Sequence, residues 1–155
     1  MWSVNSGFNA PTSLSDEWET PAWLFNALDA EFAFTLDGAA KETNAKCGRY
    51  STVEKPIPWI GERVFCNPPY SNIESFVRLA FDAELAVLLL PVRTDSDWFR
   101  VLTESQGVEL RWLRKRVRFL QCGEPMDSPR FPSLVAIVKS LRRFLVGGTD
   151  RGKHG

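Results

Sequence analysis

Glu84-Leu85-Ala86-Val87-Leu88-Leu89-Leu90-Pro91 is the stretch on which the fold turns. After Glu84 it carries no polar side chain. A strand here presents apolar groups on both faces, and both faces must be covered. That pattern belongs inside a mainly parallel sheet with helices on either side, not to a strand with one wet face. Upstream, Arg63-Val64-Phe65-Cys66 is a second apolar strand, followed by Asn67-Pro68-Pro69-Tyr70. A helical pattern comes next, with Phe76, Val77, Leu79, Ala80 and Phe81 as its apolar positions. Downstream, Asp95 or Ser96 caps a helix through about Ser105, with Trp98, Phe99 and Leu102 inward, and Gly107 ends it.

The outer segments extend this pattern. Thr20-Pro21 offers a capping hydroxyl and then a proline at the first helical position, where the missing N–H is harmless. Trp23, Leu24, Ala27, Leu28 and Phe32 recur at helical spacing and predict its buried face. Phe34-Thr35-Leu36-Asp37 is a short strand ending in a carboxylate, and 38–61 is loop with short elements. Strands are expected at 108–113, at 116–120 (from the alternation in Val117-Arg118-Phe119) and at 133–138, with a turn-rich loop from Gly123 to Pro132. Alternating helices and strands predict an α/β domain, its compact sheet mostly parallel with an antiparallel C-terminal strand and flanking helices. The expected layout is a flexible lead-in over 1–15, one domain over 16–143 and a flexible basic tail over 144–155.

Composition removes several kinds of chemistry. A chain of 155 residues, 44% apolar and 25% charged, suits one soluble globular domain. No run approaches the roughly 18 apolar residues of a membrane span, and no basic segment followed by an apolar one opens the chain. Cys47, Cys66 and Cys122 are odd in number and widely spaced, which suits reduced thiols in the cytoplasm and neither a disulfide frame nor a zinc site. The single histidine, His154, lies next to the last residue, so a Ser-His-Asp triad, a Cys-His pair or a histidine-rich metal site is not expected. The net charge of zero hides an asymmetry: residues 1–110 hold 8 Lys/Arg against 16 Asp/Glu, and residues 111–155 hold 11 against 3. Such a basic end suits phosphates, and a solvated helix face or tail has the same composition.

Ligands of parallel sheets bind outside the carboxyl ends of the strands. Asp37, Asn67 and Arg93 each follow a predicted strand and are expected at one edge. There Asn67-Pro68-Pro69-Tyr70 suits a planar amino group such as N6 of adenine. The Asn67 side-chain oxygen and the Pro68 carbonyl accept hydrogen bonds from the amine, Pro68 and Pro69 fix the carbonyl's direction, and Tyr70 stacks on the base. Asn67 is no base, so its part is electrostatic and positional. The matching electrophile is a sulfonium methyl group, which needs no metal and favours a carboxylate nearby, a place Asp37 suits. Each of these residues also has a plainer use: Pro-Pro as a turn ending a strand, Asp37-Gly38 as a turn, Arg93 in an ion pair.

Several stretches together resemble the small phage-type DNA N6-adenine methyltransferase (Dam) family. They are Glu17-Trp18-Glu19-Thr20-Pro21, Phe34-Thr35-Leu36-Asp37-Gly38-Ala39-Ala40, Asn44-Ala45-Lys46-Cys47, Cys66-Asn67-Pro68-Pro69-Tyr70, Leu89-Leu90-Pro91-Val92-Arg93-Thr94-Asp95 with Trp98-Phe99, and Phe131-Pro132-Ser133. They span 17–138 in the family's order. The resemblance implies a Rossmann-like methyltransferase fold that uses S-adenosylmethionine and yields S-adenosylhomocysteine. It implies a cofactor site of Trp18, Thr20, Pro21, Asp37, Gly38, Ala39 and Asn67, with Thr20-Pro21 against the methionine end, and a catalytic motif of Asn67, Pro68, Pro69 and Tyr70. Unlike larger methyltransferases, the chain has no Gly-x-Gly loop after the first strand; Gly38-Ala39-Ala40 stands there, and Glu42 and Glu54 are the candidates for the ribose. No separate recognition domain is visible, so double-stranded DNA is expected to meet Arg93, Asp95, Arg111, Arg114, Lys115, Arg116 and Arg118. The expected setting is the cytoplasm of a bacterial host, with a phage or prophage gene and a monomer or weak homodimer. RNA adenine or a protein glutamine suits the same four residues, and an inactive nucleic-acid-binding module suits the basic end.

Overall fold

The computed structural model describes residues 18–127 and 131–140. The expected lead-in (1–15) and tail (144–155) lie outside the described residues, as do Arg130, Arg142, Arg143, Arg151, Lys153 and His154. Helix α1 spans Ala22–Phe32 and strand β1 Leu36–Asp37. Strand β2 (Arg63–Cys66) leads through a 3₁₀ turn (Tyr70–Asn72) into α2 (Ile73–Ala80). Then come β3 (Leu85–Pro91), α3 (Asp97–Glu104), β4 (Val108–Trp112), the short strands β5 (Leu120–Gln121) and β6 (Glu124–Pro125), and β7 (Ser133–Lys139).

The main sheet has the order β1-β2-β3-β7-β4. β1, β2 and β3 are parallel, and β7 lies antiparallel between β3 and β4. β4 therefore points the same way as β3. This is the Rossmann-like methyltransferase layout expected from the sequence, with β7 as the antiparallel strand. β3 is buried along its whole length because the sheet is covered on both sides. Leu85, Val87 and Leu89 join Phe65, Val135 and Ile137 under Leu24, Phe25, Leu28 and Phe32 of α1, with Val117 and Phe119 beside them. Ala86, Leu88 and Leu90 face the other way, into Val64, Cys66, Ile73, Val77, Trp98, Leu102 and Trp59. This alternation is the two-residue period of a strand, and it divides one apolar run between two cores.

The crossovers fix the site. α2 carries the chain from β2 to β3, whereas the long β1–β2 connection has no helix, and its buried Trp59 packs on the α2–α3 side. A side chain on Gly38 would place Cβ 2.4 Å from a Trp59 ring carbon and 2.8 Å from Val64 Cγ1. Close packing therefore demands glycine there, on the side away from α1.

Several local expectations need correction. Trp23 is 62% exposed and Ala27 is exposed, while Phe25 is buried, so the inward stripe of α1 lies one residue over. Pro21 is the N-cap with extended backbone, not the first helical residue, and no side chain caps the helix. The Pro21 carbonyl instead accepts from the Leu24 and Phe25 amides at 3.1 and 3.2 Å. Leu79 is exposed, at the rim of the α2 face. The 116–120 segment is not a strand, although Val117 and Phe119 are buried and Arg118 exposed as its alternation required. Pairing begins only at Leu120, which bridges Glu19 and starts the β5–β6 hairpin. Of the two caps expected for α3, Ser96 is the one used, accepting from the Phe99 amide.

Candidate active site

The carboxyl ends of β1, β2, β3 and β4 share one edge of the sheet. Because β7 runs the opposite way, its first residue lies at this edge too, so the chain leaves β4 and re-enters the sheet at β7 on the same edge.

A cleft at this edge is lined by Trp18, Glu19, Thr20, Asp37, Ala39, Asn44, Lys46, Phe65 and Asn67. It thus gathers five of the seven residues expected to hold a cofactor. Pro21 and Gly38 are buried just behind it. Asp37 is 3% exposed. Its carboxylate accepts from the Ala39 amide at 3.2 Å and from the Lys46 amide at 3.0 Å, so it folds the 39–46 loop over the strand end. Burial raises its pKa, and those two amides with the Lys46 charge act against the rise. Burial also pushes the Cys47 thiol up to about 12, with Asp37 and Asp29 adding to it, and raises Cys66 well above its ordinary range. Neither thiol is a ready nucleophile at neutral pH. Asn44 and Lys46 are lining residues that residue type alone does not single out. The signal for them was the Asn44-Ala45-Lys46-Cys47 stretch, whose place over the cleft depends on the turn that Asp37 pins. Glu42 and Glu54 are exposed and do not line this cleft.

Asn67 leaves the end of β2 with its amide oriented by chemistry. Its Nδ2 donates to the Trp18 carbonyl at 2.9 Å. A carbonyl only accepts, so the amide's nitrogen must face Trp18 and its oxygen must face away as a spare acceptor. The Pro68 carbonyl takes no hydrogen bond from a described residue, whereas that of Pro69 accepts from the Asn72 amide at 3.0 Å and starts the helical turn. Tyr70 stands beside them, half-buried, with Trp18 edge-on at 5.2 Å and 68°. Trp18 in turn stacks on Phe119 at 5.3 Å. Burial raises the Tyr70 pKa, against the pull of Arg93, so the phenol stays neutral.

Arg93 lies over the Tyr70 ring at 5.5 Å and the Phe131 ring at 4.8 Å. Its Nε–H is buried without a hydrogen-bond partner, as is the Trp18 indole N–H. Asp95 is exposed in the turn that follows. Arg114, Lys115, Arg116 and Arg118 are exposed beyond β4 at this edge. Arg118 Nε donates to the Met126 carbonyl at 3.3 Å. Arg111 is engaged otherwise: it forms a two-bond pair with Glu31 at 2.6 and 2.7 Å, bonds Glu109 at 2.7 Å and rests on Phe32 at 5.4 Å. Its sequence neighbours share its charge but not these partners.

The family model described as DNA N-6-adenine-methyltransferase (Dam) matches residues 7–149, nearly the whole chain. The chain belongs to the Dam family. Among its relatives is the DNA N-6-adenine-methyltransferase of Haemophilus phage HP1, 29% identical over 143 residues, covering 84% of this chain and 83% of the relative. Another, of the same name, comes from Escherichia phage T1, 29% identical over 162 residues, covering 88% of this chain and 68% of the relative. In this Dam chain no described helix is long and apolar enough to cross a membrane, and no described group of His, Cys, Asp and Glu is arranged to hold a metal ion.

Proposed function

We propose that this Dam-family chain transfers a methyl group from S-adenosylmethionine to the N6 amine of adenine in double-stranded DNA, with the base turned out of the duplex toward Asn67-Pro68-Pro69-Tyr70. The observation that carries the reading is the Asn67 amide. Its nitrogen is bound to the Trp18 carbonyl, which leaves the side-chain oxygen as an acceptor, and the carbonyl of the next residue, Pro68, takes no hydrogen bond from a described residue. Two acceptors suit the two hydrogens of an exocyclic amine. They draw its lone pair out of the ring and stabilise the positive charge that develops on nitrogen. Tyr70 supplies an aromatic face for the base. Tyr70, Cys66 and Cys47 are all held protonated by burial, so the proton lost from N6 leaves to solvent after transfer, not to a strong side-chain base.

The cleft fits the cofactor chemically. Asp37 uses two of its roughly four acceptor positions on Ala39 and Lys46 and keeps the others for a cationic group. The Trp18 indole N–H is a buried donor without a partner, suited to a carboxylate, and Phe65 offers an apolar wall. When bound, S-adenosylmethionine supplies an electrophilic methyl group on sulfur. Thr20 and Asn44 complete the polar lining. DNA meets the carboxyl edge through Arg93, Arg114, Lys115, Arg116 and Arg118, in the cytoplasm of a phage's host. Residues 16–143 act as one domain.

The test is incubation with labelled S-adenosylmethionine and, separately, duplex DNA, RNA and glutamine-containing protein, followed by digestion and identification of the product. N6-methyladenine from DNA is the expected product. Label confined to RNA or to protein glutamine would replace the DNA reading. Absence of both transfer and cofactor binding by folded protein would leave an inactive binding module.

A further inference from the structure

Seven large apolar side chains are exposed among the described residues. Phe131 differs from Trp23, Val53, Ile60, Leu79, Val101 and Trp112 because it touches the proposed base pocket through a single side chain. The Arg93 guanidinium carbon lies 4.8 Å from the Phe131 ring centre and 5.5 Å from that of Tyr70. One cation thus contacts both the Tyr70 ring of the proposed base site and a ring that is 40% exposed. Phe131 also stands on a firm base. The Pro132 carbonyl accepts from the Val92 amide at 2.8 Å, and Ser133 pairs with Pro91 at the start of β7. An exposed aromatic fixed beside the proposed base site is placed to press on something that arrives with the ligand.

Resting on the adenine reading above, we propose that Phe131 is the side chain that enters the duplex stack where the target adenine has left it, and that Arg93 couples this wedge to Tyr70. Turning a base out unstacks its neighbours, and an apolar side chain inserted between base steps restores contact for them. Arg93 is suited to the joint because its Nε–H is buried and unpartnered and no described carboxylate pairs with it. With no described carboxylate answering its charge, the guanidinium can donate to a phosphate oxygen when the strand bends toward the pocket. No bond is made or broken in this step. Phe131 acts on the opening of the base pair and not on methyl transfer.

The experiment uses a duplex containing the sequence that the wild-type protein methylates, located by sequencing methylated DNA. A second duplex has the same target adenine mispaired, so that it is already partly unstacked. Single-turnover transfer is measured on both for wild type, Phe131→Ala and Phe131→Trp. The ratio of the two rates within one variant is insensitive to the fraction that is folded. Phe131→Ala is expected to slow transfer on the paired duplex by about 5- to 150-fold, the range lost with one base-stacking aromatic. It should recover most of that loss on the mispaired duplex, while Phe131→Trp stays near wild type. A paired-to-mispaired ratio equal to wild type in Phe131→Ala would overturn the wedge, whether both rates hold or both fall. Wild-type protein that methylates DNA while the ratio is unmoved refutes the wedge alone; wild-type protein that methylates no adenine refutes the adenine reading and the wedge together.

Discussion

Arg93 and Arg111 lie near the carboxyl ends of β3 and β4, and both guanidinium groups rest against aromatic rings, yet their charges are met differently. Arg111 is closed off by Glu31 and Glu109. Arg93 has two rings, a buried Nε–H without a partner and no described carboxylate. A cation answered by carboxylates holds elements together, here β4 to α1. A cation answered only by π-faces keeps its strongest interaction for a ligand. Position in a basic run does not separate the two; their partners do.

The contrast can be broken in order of effect. Arg93→Ala should lower kcat/KM on DNA by about 10- to 100-fold, as expected for a desolvated cation meeting a phosphate or base, with the melting temperature nearly unchanged. Equal losses in rate and stability would make Arg93 a second Arg111. Gly38→Ala tests the pocket's floor and should cost about 1–3 kcal/mol in denaturant unfolding, since Trp59 and Val64 have little room to move. Arg114→Ala should reduce the slope of log K against log salt for DNA binding by about 0.9 for each lost phosphate contact, whereas Arg111→Ala should leave the slope alone. The smallest effect is expected for Glu31→Gln. The Arg111 hydrogen bond lowers the Glu31 pKa, so its contribution is present above the unfolded carboxylate range and is lost as pH falls through the folded value. Both side chains are well exposed, so the loss at neutral pH should stay under about 1 kcal/mol and vanish in acid.

How far the sequence carried the reading varied with the range of the interactions involved. β3 was legible because seven apolar residues in a row leave a strand no wet face. The meeting of Asp37 and Asn67 followed from parallel strands sharing a carboxyl edge. Helix faces were legible only to within a residue, since apolar spacing around α1 accommodates either Trp23 or Phe25, and it is Phe25 that packs on Phe65 and Phe34. The Arg111–Glu31 pair spans 80 residues, beyond any local pattern. The 117–119 alternation is a burial pattern without a partner strand, which no single segment can distinguish from a strand. Asn44 and Lys46 come to the cleft on a loop that the Asp37 carboxylate pins at Ala39 and Lys46 and that a Lys41–Asn44 turn closes, contacts no local pattern announces.

In the proposed reaction the side-chain oxygen of Asn67 accepts from the adenine amine. The most direct test of this role is single-turnover methyl transfer to duplex DNA by Asn67→Ala at saturating S-adenosylmethionine, with DNA affinity measured alongside. The transfer rate should fall by about 10²–10³-fold while DNA binding stays close to wild type. Transfer at the wild-type rate would contradict it.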